Sequence, residues 1–194
     1  MRIFLATTVL LGCVLAACSS DPTGQPDVLK LVAHESFAES VTDQTFQAFT
    51  EETGIEVEVL AAGDAGSMVT SAVLTSGNPI ADVMYGVDDT FLSRAIDGDI
   101  FSPHTSRLID QVEPGLKLAS EDLVTPISFG DVCLNYDKEW FDSTQLHVPT
   151  RLDDFRAGVY ADALVVEHPA TSSPGLAFML ATIEEYGEDG WLDY

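Results

Sequence analysis

Three short apolar runs, each passing through a turn into a helical pattern, constrain the fold of this chain more than any other feature. Val28-Leu29-Lys30-Leu31-Val32-Ala33, Ile55-Glu56-Val57-Glu58-Val59-Leu60 and Ala81-Asp82-Val83-Met84-Tyr85-Gly86 read as strands. Between and after them lie helical patterns over 38–52, 65–74 and 91–96. Thr53-Gly54 stops the first, Ser76-Gly77-Asn78-Pro79 closes the second, and Asp88-Asp89-Thr90 caps the third. Strands alternating with helices in this way imply βαβ units and a mainly parallel sheet flanked by helices, an α/β fold.

Further along, Val132-Cys133-Leu134-Asn135-Tyr136 and Ala163-Leu164-Val165-Val166 read as two more strands, with a helix near Leu152–Phe155 and another over 174–186. The expected organisation is a first α/β lobe over 28–125, then a hinge crossing and a partial second α/β lobe over 126–194. The chain closes on Trp191, Leu192 and Tyr194 without a polar tail, which reads as a two-lobed protein cut short.

Residues 1–17 carry one basic residue, Arg2, and an apolar run too short and wrongly flanked to span a bilayer; they read as a secretory signal peptide. Its end, Leu15-Ala16-Ala17-Cys18, resembles the lipobox of bacterial lipoproteins. That resemblance implies cleavage before Cys18 and a lipid on its sulfur. Residues 18–27 then form a lipidated cysteine and a flexible Pro/Gly/Ser tether. The alternative is an ordinary secretory signal with a chance cysteine. Either way, the mature chain is expected to be extracytoplasmic.

Asp and Glu number 32 against 8 Lys and Arg, a formal net charge of −24. Such a surface repels nucleic acid and favours cationic partners, or serves general solubility. With Cys13 in the signal and Cys18 at the lipobox, only Cys133 remains, so the mature chain has no internal disulfide. Cys133 is expected to be a buried packing residue.

In open parallel sheets, ligands bind beyond the carboxyl ends of the strands, where loops and helix N-termini converge. Four segments hold that position: His34-Glu35-Ser36-Phe37, Gly63-Asp64-Ala65-Gly66-Ser67, Gly86-Val87-Asp88-Asp89 and Thr171-Ser172-Ser173-Pro174-Gly175. In the last, Ser173 suits the cap and Pro174 the first helical position, leaving the Thr171 and Ser172 hydroxyls beside free backbone N–H groups. Asp64 could cap a helix or pair with a cation; His34 could stack on an aromatic ring, ligate a metal or cap an element. Asp88 is a cap or a ligand contact. Phe129 and Asp131 lie where a cleft between lobes would be. No nucleophile elbow, thiol–base pair, phosphate-binding Gly-rich loop or tight metal-ligand spacing occurs, so neither an enzyme nor a metal site is expected, and no cofactor is implied.

Taken together, these segments, with Asn135-Tyr136-Asp137-Lys138 and Thr171-Ser172-Ser173-Pro174-Gly175-Leu176, resemble the thiamine-binding proteins of ABC importers. These are a branch of the two-lobed type II periplasmic binding proteins. The resemblance implies a monomeric solute binder that captures thiamine or its phosphates between hinged lobes and docks on an ABC permease. It places an aromatic contact at His34, where some relatives have tyrosine, an acidic contact at Asp64, and a hydroxyl contact at Ser172. Ser67, Asp88, Phe129, Asp131 and Thr171 complete the expected ligand set. A ferric-iron binder of the same fold is the alternative, and a secreted hydrolase using His34 and the carboxylates is a further one.

Overall fold

A computed structural model describes residues 28–118, 122–156, 158–160 and 163–193. The signal peptide, Cys18 and the tether lie outside these residues. Strand β1 (Val28–Ala33) is central, with β2 (Glu56–Ala61) on one side and β3 (Val83–Tyr85) on the other, in the order β2-β1-β3. Both pairings are parallel, running from Val28 opposite Glu56 to Ala33 opposite Ala61, and from Leu31 opposite Val83 to Ala33 opposite Tyr85. The α/β expectation therefore holds. Leu31, Val32 and Ala33 are all buried although successive side chains point to opposite faces, so both faces of β1 are covered at its carboxyl end.

Helix α1 (Glu35–Ser40) follows β1 directly, and α2 (Gln47–Thr53) precedes β2. A single helix over 38–52 was expected; the backbone turns extended at Val41 instead. Local hydroxyls explain the break. Ser40 Oγ donates to the carbonyl of Phe37 at 2.7 Å, and Thr45 Oγ1 accepts from the N–H of Thr42 at 2.9 Å. These bonds offer the backbone an alternative to helix where β-branched Val41 and Thr42 already disfavour it. Gly54 then ends α2 in a left-handed conformation, as its sequence suggests.

Helix α3 (Ala65–Leu74) matches its expected bounds, and α4 (Asp89–Asp97) starts slightly earlier than expected. β3 is shorter than its apolar run because Asp82 takes over the ladder: its N–H donates to the Lys30 carbonyl, and its Oδ2 accepts from the Lys30 N–H, both at 2.9 Å. Ala65, Val69, Phe91 and Ala95 form the core between α3 and α4, with Val87, Ile100, Phe101 and Leu176 packed against it. Leu176 belongs to α6 (Ser173–Gly190), whose first stretch thus docks on α4. Gly187, with φ 76° and ψ 173°, kinks α6 one residue after its expected end.

Two expected strands are absent. Residues 132–136 form no ladder, with Val132, Leu134 and Tyr136 exposed, and residues 163–166 likewise stand unpaired, with Val165 92% exposed. Strand propensity is a fit to a pleated neighbour, and among the described residues β1, β2 and β3 make the only ladders. Cys133, expected in the core, is exposed for the same reason. What does form here is helix α5 (Lys138–Thr144), capped by Asp137, and a 3-10 turn over Leu152–Phe155 as expected. Among the described residues no helix is long and apolar enough to cross a membrane.

Candidate functional site

The carboxyl end of the sheet gathers all four segments singled out in the sequence. At the end of β1, His34 caps α1, its Nδ1 accepting from the Phe37 N–H at 3.1 Å. The Glu35 N–H donates to the Gly63 carbonyl at 2.8 Å, and the Ala62 N–H to the Ala33 carbonyl at 3.0 Å, joining the ends of β1 and β2. Gly86, at φ +108°, has no room for a side chain because the His34 ring fills that space. The Gly66 N–H donates to the Thr171 carbonyl at 2.9 Å, tying the start of α3 to the loop before α6. A Cβ on Gly66 would stand 2.6 Å from the Ala170 carbonyl oxygen and 2.7 Å from the Phe91 ring. A glycine is therefore what lets helix and loop meet.

An aromatic cluster stands at this edge. The Phe37 and Tyr85 ring centroids are 4.4 Å apart, and His34 lies 6.2 Å from Phe37 and 6.1 Å from Tyr85. Tyr85 closes β3, and its half-buried strand position hides it from sequence reasoning. Above this edge opens a concavity of about 2490 Å³. That exceeds the roughly 300–1,000 Å³ typical of a small-molecule pocket, and residues 123–132, exposed from Ile127 onward, form part of its wall.

Of the residues expected to contact a ligand, His34, Asp64, Asp88, Phe129 and Asp131 line the concavity; Ser67, Thr171 and Ser172 do not. Asp64 caps α3, its Oδ1 accepting from the Ala65 N–H at 2.8 Å, and remains exposed. Asp88 caps α4, its Oδ1 accepting from the Thr90 N–H at 3.1 Å and from Thr90 Oγ1 at 2.5 Å. Phe129 is 78% exposed and Asp131 exposed, so the far wall is open.

Around the start of α6 the roles shift by one residue from expectation. Ser172, not Ser173, is the cap, its Oγ accepting from the Gly175 N–H at 3.3 Å. The same hydroxyl donates to the Glu167 carboxylate and is 2% exposed. Ser173 is buried with its Oγ unpartnered among the described residues, and it lines the concavity together with Pro174 and Glu167. Thr171 stays exposed, its Oγ1 donating to the His168 carbonyl at 3.3 Å. Sequence reasoning missed Glu167 and the place of Ser173 in the wall of the concavity. The five-residue separation of Glu167 from Ser172 follows neither strand nor helix periodicity.

Charge on the wall has one sign. Glu35, Asp64, Asp88, Asp131, Glu167 and Glu184 are among its carboxylates, and no Lys or Arg is found among the described lining residues. No cluster of three His, Cys, Asp or Glu side chains with metal-ligand geometry occurs among the described residues.

Residues 78–194 match the model of a family described as bacterial extracellular solute-binding protein. A thiamine-binding periplasmic protein of Brucella suis is 24% identical over 165 residues, covering 84% of this chain and 48% of that relative. One of Salmonella typhimurium is 25% identical over 179 residues, covering 91% and 52%. The chain thus spans about half the length of these relatives. Among solved structures, a periplasmic thiamin binding protein superposes with a TM-score of 0.61 at 22% identity, covering 84% of this chain and 50% of the other. The fructose-6-phosphate-bound periplasmic binding protein AfuA of Actinobacillus pleuropneumoniae superposes with a TM-score of 0.62 at 18% identity, covering 86% and 52%. These likenesses place the fold as that of the type II periplasmic binding proteins.

Proposed function

The chain belongs to the bacterial extracellular solute-binding proteins, and on that premise we propose that it captures thiamine outside the cytoplasmic membrane and delivers it to an ABC permease. The family is one of binders, and the chain's role is to hold a solute rather than to transform it. The observation that carries the thiamine reading is the one-signed wall of the concavity. Thiamine is an organic cation with a permanent charge on an aromatic thiazolium ring. Carboxylates at Asp64, Asp88 and Asp131 attract it, while His34 and Tyr85 offer ring faces at the same edge. The thiamine-binding names of the relatives in Brucella suis and Salmonella typhimurium support the same ligand.

Delivery requires the protein to stay near its permease, and a lipid on Cys18, with residues 19–27 as tether, meets that need. Cys18→Ser is expected to release the protein from the membrane fraction; full retention would remove the anchor from this reading. Isothermal calorimetry with thiamine tests the ligand. Saturable binding that weakens on Asp64→Ala is expected, and no heat of binding would overturn the proposal.

A further inference from the structure

Resting on the thiamine reading, we propose that Tyr85 is the ring on which the cation stacks, that Phe37 is its positioning residue, and that His34 serves chiefly to hold this edge together. The wall of the concavity carries three phenyl or phenol rings, Tyr85, Phe101 and Phe129. Phe101 packs against the core between α3 and α4. Phe129 is 78% exposed on the open far wall. Tyr85 alone of the three has a ring neighbour among the described residues: the Phe37 centroid lies 4.4 Å away, with the planes inclined by 43°. Phe37 itself is not in the wall, so it packs on half-buried Tyr85 from the protein side. Beneath the ring the backbone is fixed as well, since Tyr85 pairs with fully buried Ala33 at the end of the ladder. A plate held this firmly loses little freedom when a flat ligand settles on it.

His34 is engaged differently. Its Nδ1 accepts from the Phe37 N–H and lies 3.1 Å from Ser36 Oγ, while its Cδ2 edge fills the space over Gly86. Both flanks of the imidazole are thus committed to the fold, and through the Phe37 N–H it places the residue that backs Tyr85. An imidazole is also the poorer plate for a cation. It can take up a proton in the physiological range and then repels positive charge, whereas a phenol ring keeps its electron-rich face. Asp88 follows Tyr85 by three residues and lines the same wall, so a carboxylate and a ring face occur together. An aromatic cation is drawn by both.

Calorimetry with thiamine on the wild type, Tyr85→Leu, Tyr85→Phe and His34→Asn tests this. Tyr85→Leu removes the ring and should weaken binding by about five- to thirtyfold, the span of a cation–π contact from exposed to desolvated. Tyr85→Phe returns the ring and should recover most of that loss. His34→Asn keeps an acceptor for the cap of α1 and should lose clearly less than Tyr85→Leu. Wild-type affinity in Tyr85→Leu would overturn the inference and leave the thiamine reading standing. A loss in His34→Asn equal to or larger than that in Tyr85→Leu would return the stacking role to the imidazole. Fluorinated phenylalanines introduced at position 85 separate stacking from packing, because each fluorine withdraws charge from the ring face with little change of shape. Affinity should fall stepwise along that series; a flat series makes Tyr85 a packing residue and overturns its role. If Tyr85→Leu does not fold by circular dichroism, the fluorinated series decides by itself. Absence of binding by the wild type would defeat the thiamine reading, and the inference with it.

Discussion

The imidazole of His34 occupies the space that a side chain at Gly86 would need. This contact joins the ends of β1 and β3, the two strands whose loops carry the aromatic edge of the site. It makes a glycine a condition for the position of a candidate ligand contact, and it does so twice, since φ at Gly86 is +108°.

Gly86→Ala is therefore expected to destabilise the fold by roughly 1–3 kcal/mol through backbone strain, with the ring collision added. In a domain of this size each kcal/mol lowers Tm by about 2–4 °C, so thermal melting reads the effect. Adding His34→Ala removes the collision and leaves the strain. The double variant should thus be more stable than the sum of the single changes predicts, by about 0.5–3 kcal/mol. Strict additivity would show that ring and glycine do not meet.

Gly66→Ala tests the junction of α3 with the loop before α6. The new methyl would press on the Ala170 carbonyl oxygen at 2.6 Å and on the Phe91 ring at 2.7 Å. Backbone cannot step aside as a flexible side chain could, so a loss of about 1–3 kcal/mol is expected from overpacking. Hydrogen exchange should show the Gly66 position and its Thr171 bond opening together. A melting temperature within error of the wild type would contradict this packing.

The legible parts of the molecule are those decided by neighbours in sequence. Asp64 and Asp88 followed by apolar helical periods announce capped helices, and both cap as expected. Val28–Ala33 and Glu56–Ala61 alternate or run apolar between turn residues, and both pair. What stayed hidden depends on partners far along the chain. Val132–Tyr136 and Ala163–Val166 have strand composition, yet nothing among the described residues offers them a ladder. Cys133 followed them into solvent. At the site, the four loops converge as their places at strand ends suggested, but the use of each hydroxyl did not follow from that. Ser172, expected near a ligand, is the helix cap and bonds Glu167, while Ser173, expected to cap, is a buried residue of the concavity wall. A shift of one residue about a helix start turns a side chain by a large angle, and composition carries no trace of it.

The turn at 150–156 gives a pH-dependent prediction. Asp154 Oδ2 accepts from the N–H groups of Thr150 at 2.9 Å and Arg151 at 3.0 Å, and these bonds hold its carboxyl below the usual aspartate range. A depressed carboxylate pKa means that its contribution is fully present above the unfolded value and fades as pH falls through the folded one. The Thr150 and Arg151 amides should therefore stay protected from exchange at neutral pH and lose protection only below about pH 4. Asp154→Asn should abolish that acid step. An identical acid profile in the variant would assign the step to another group.

Asp64 carries two separable duties, and the choice of substitution can divide them. Its Oδ1 caps α3 through the Ala65 N–H, and its charge stands on the wall of the concavity. Asparagine caps about as well as aspartate, whereas alanine at such a position costs about 0.5–2 kcal/mol. Asp64→Asn should thus melt close to the wild type, and Asp64→Ala several degrees lower. Both remove the charge, so both should weaken thiamine binding by about tenfold, the scale of one charge-assisted contact. Affinity that tracks stability, with Asp64→Asn binding like the wild type, would make Asp64 a helix cap and nothing more. Loss of affinity at unchanged stability would place its carboxylate against the bound cation.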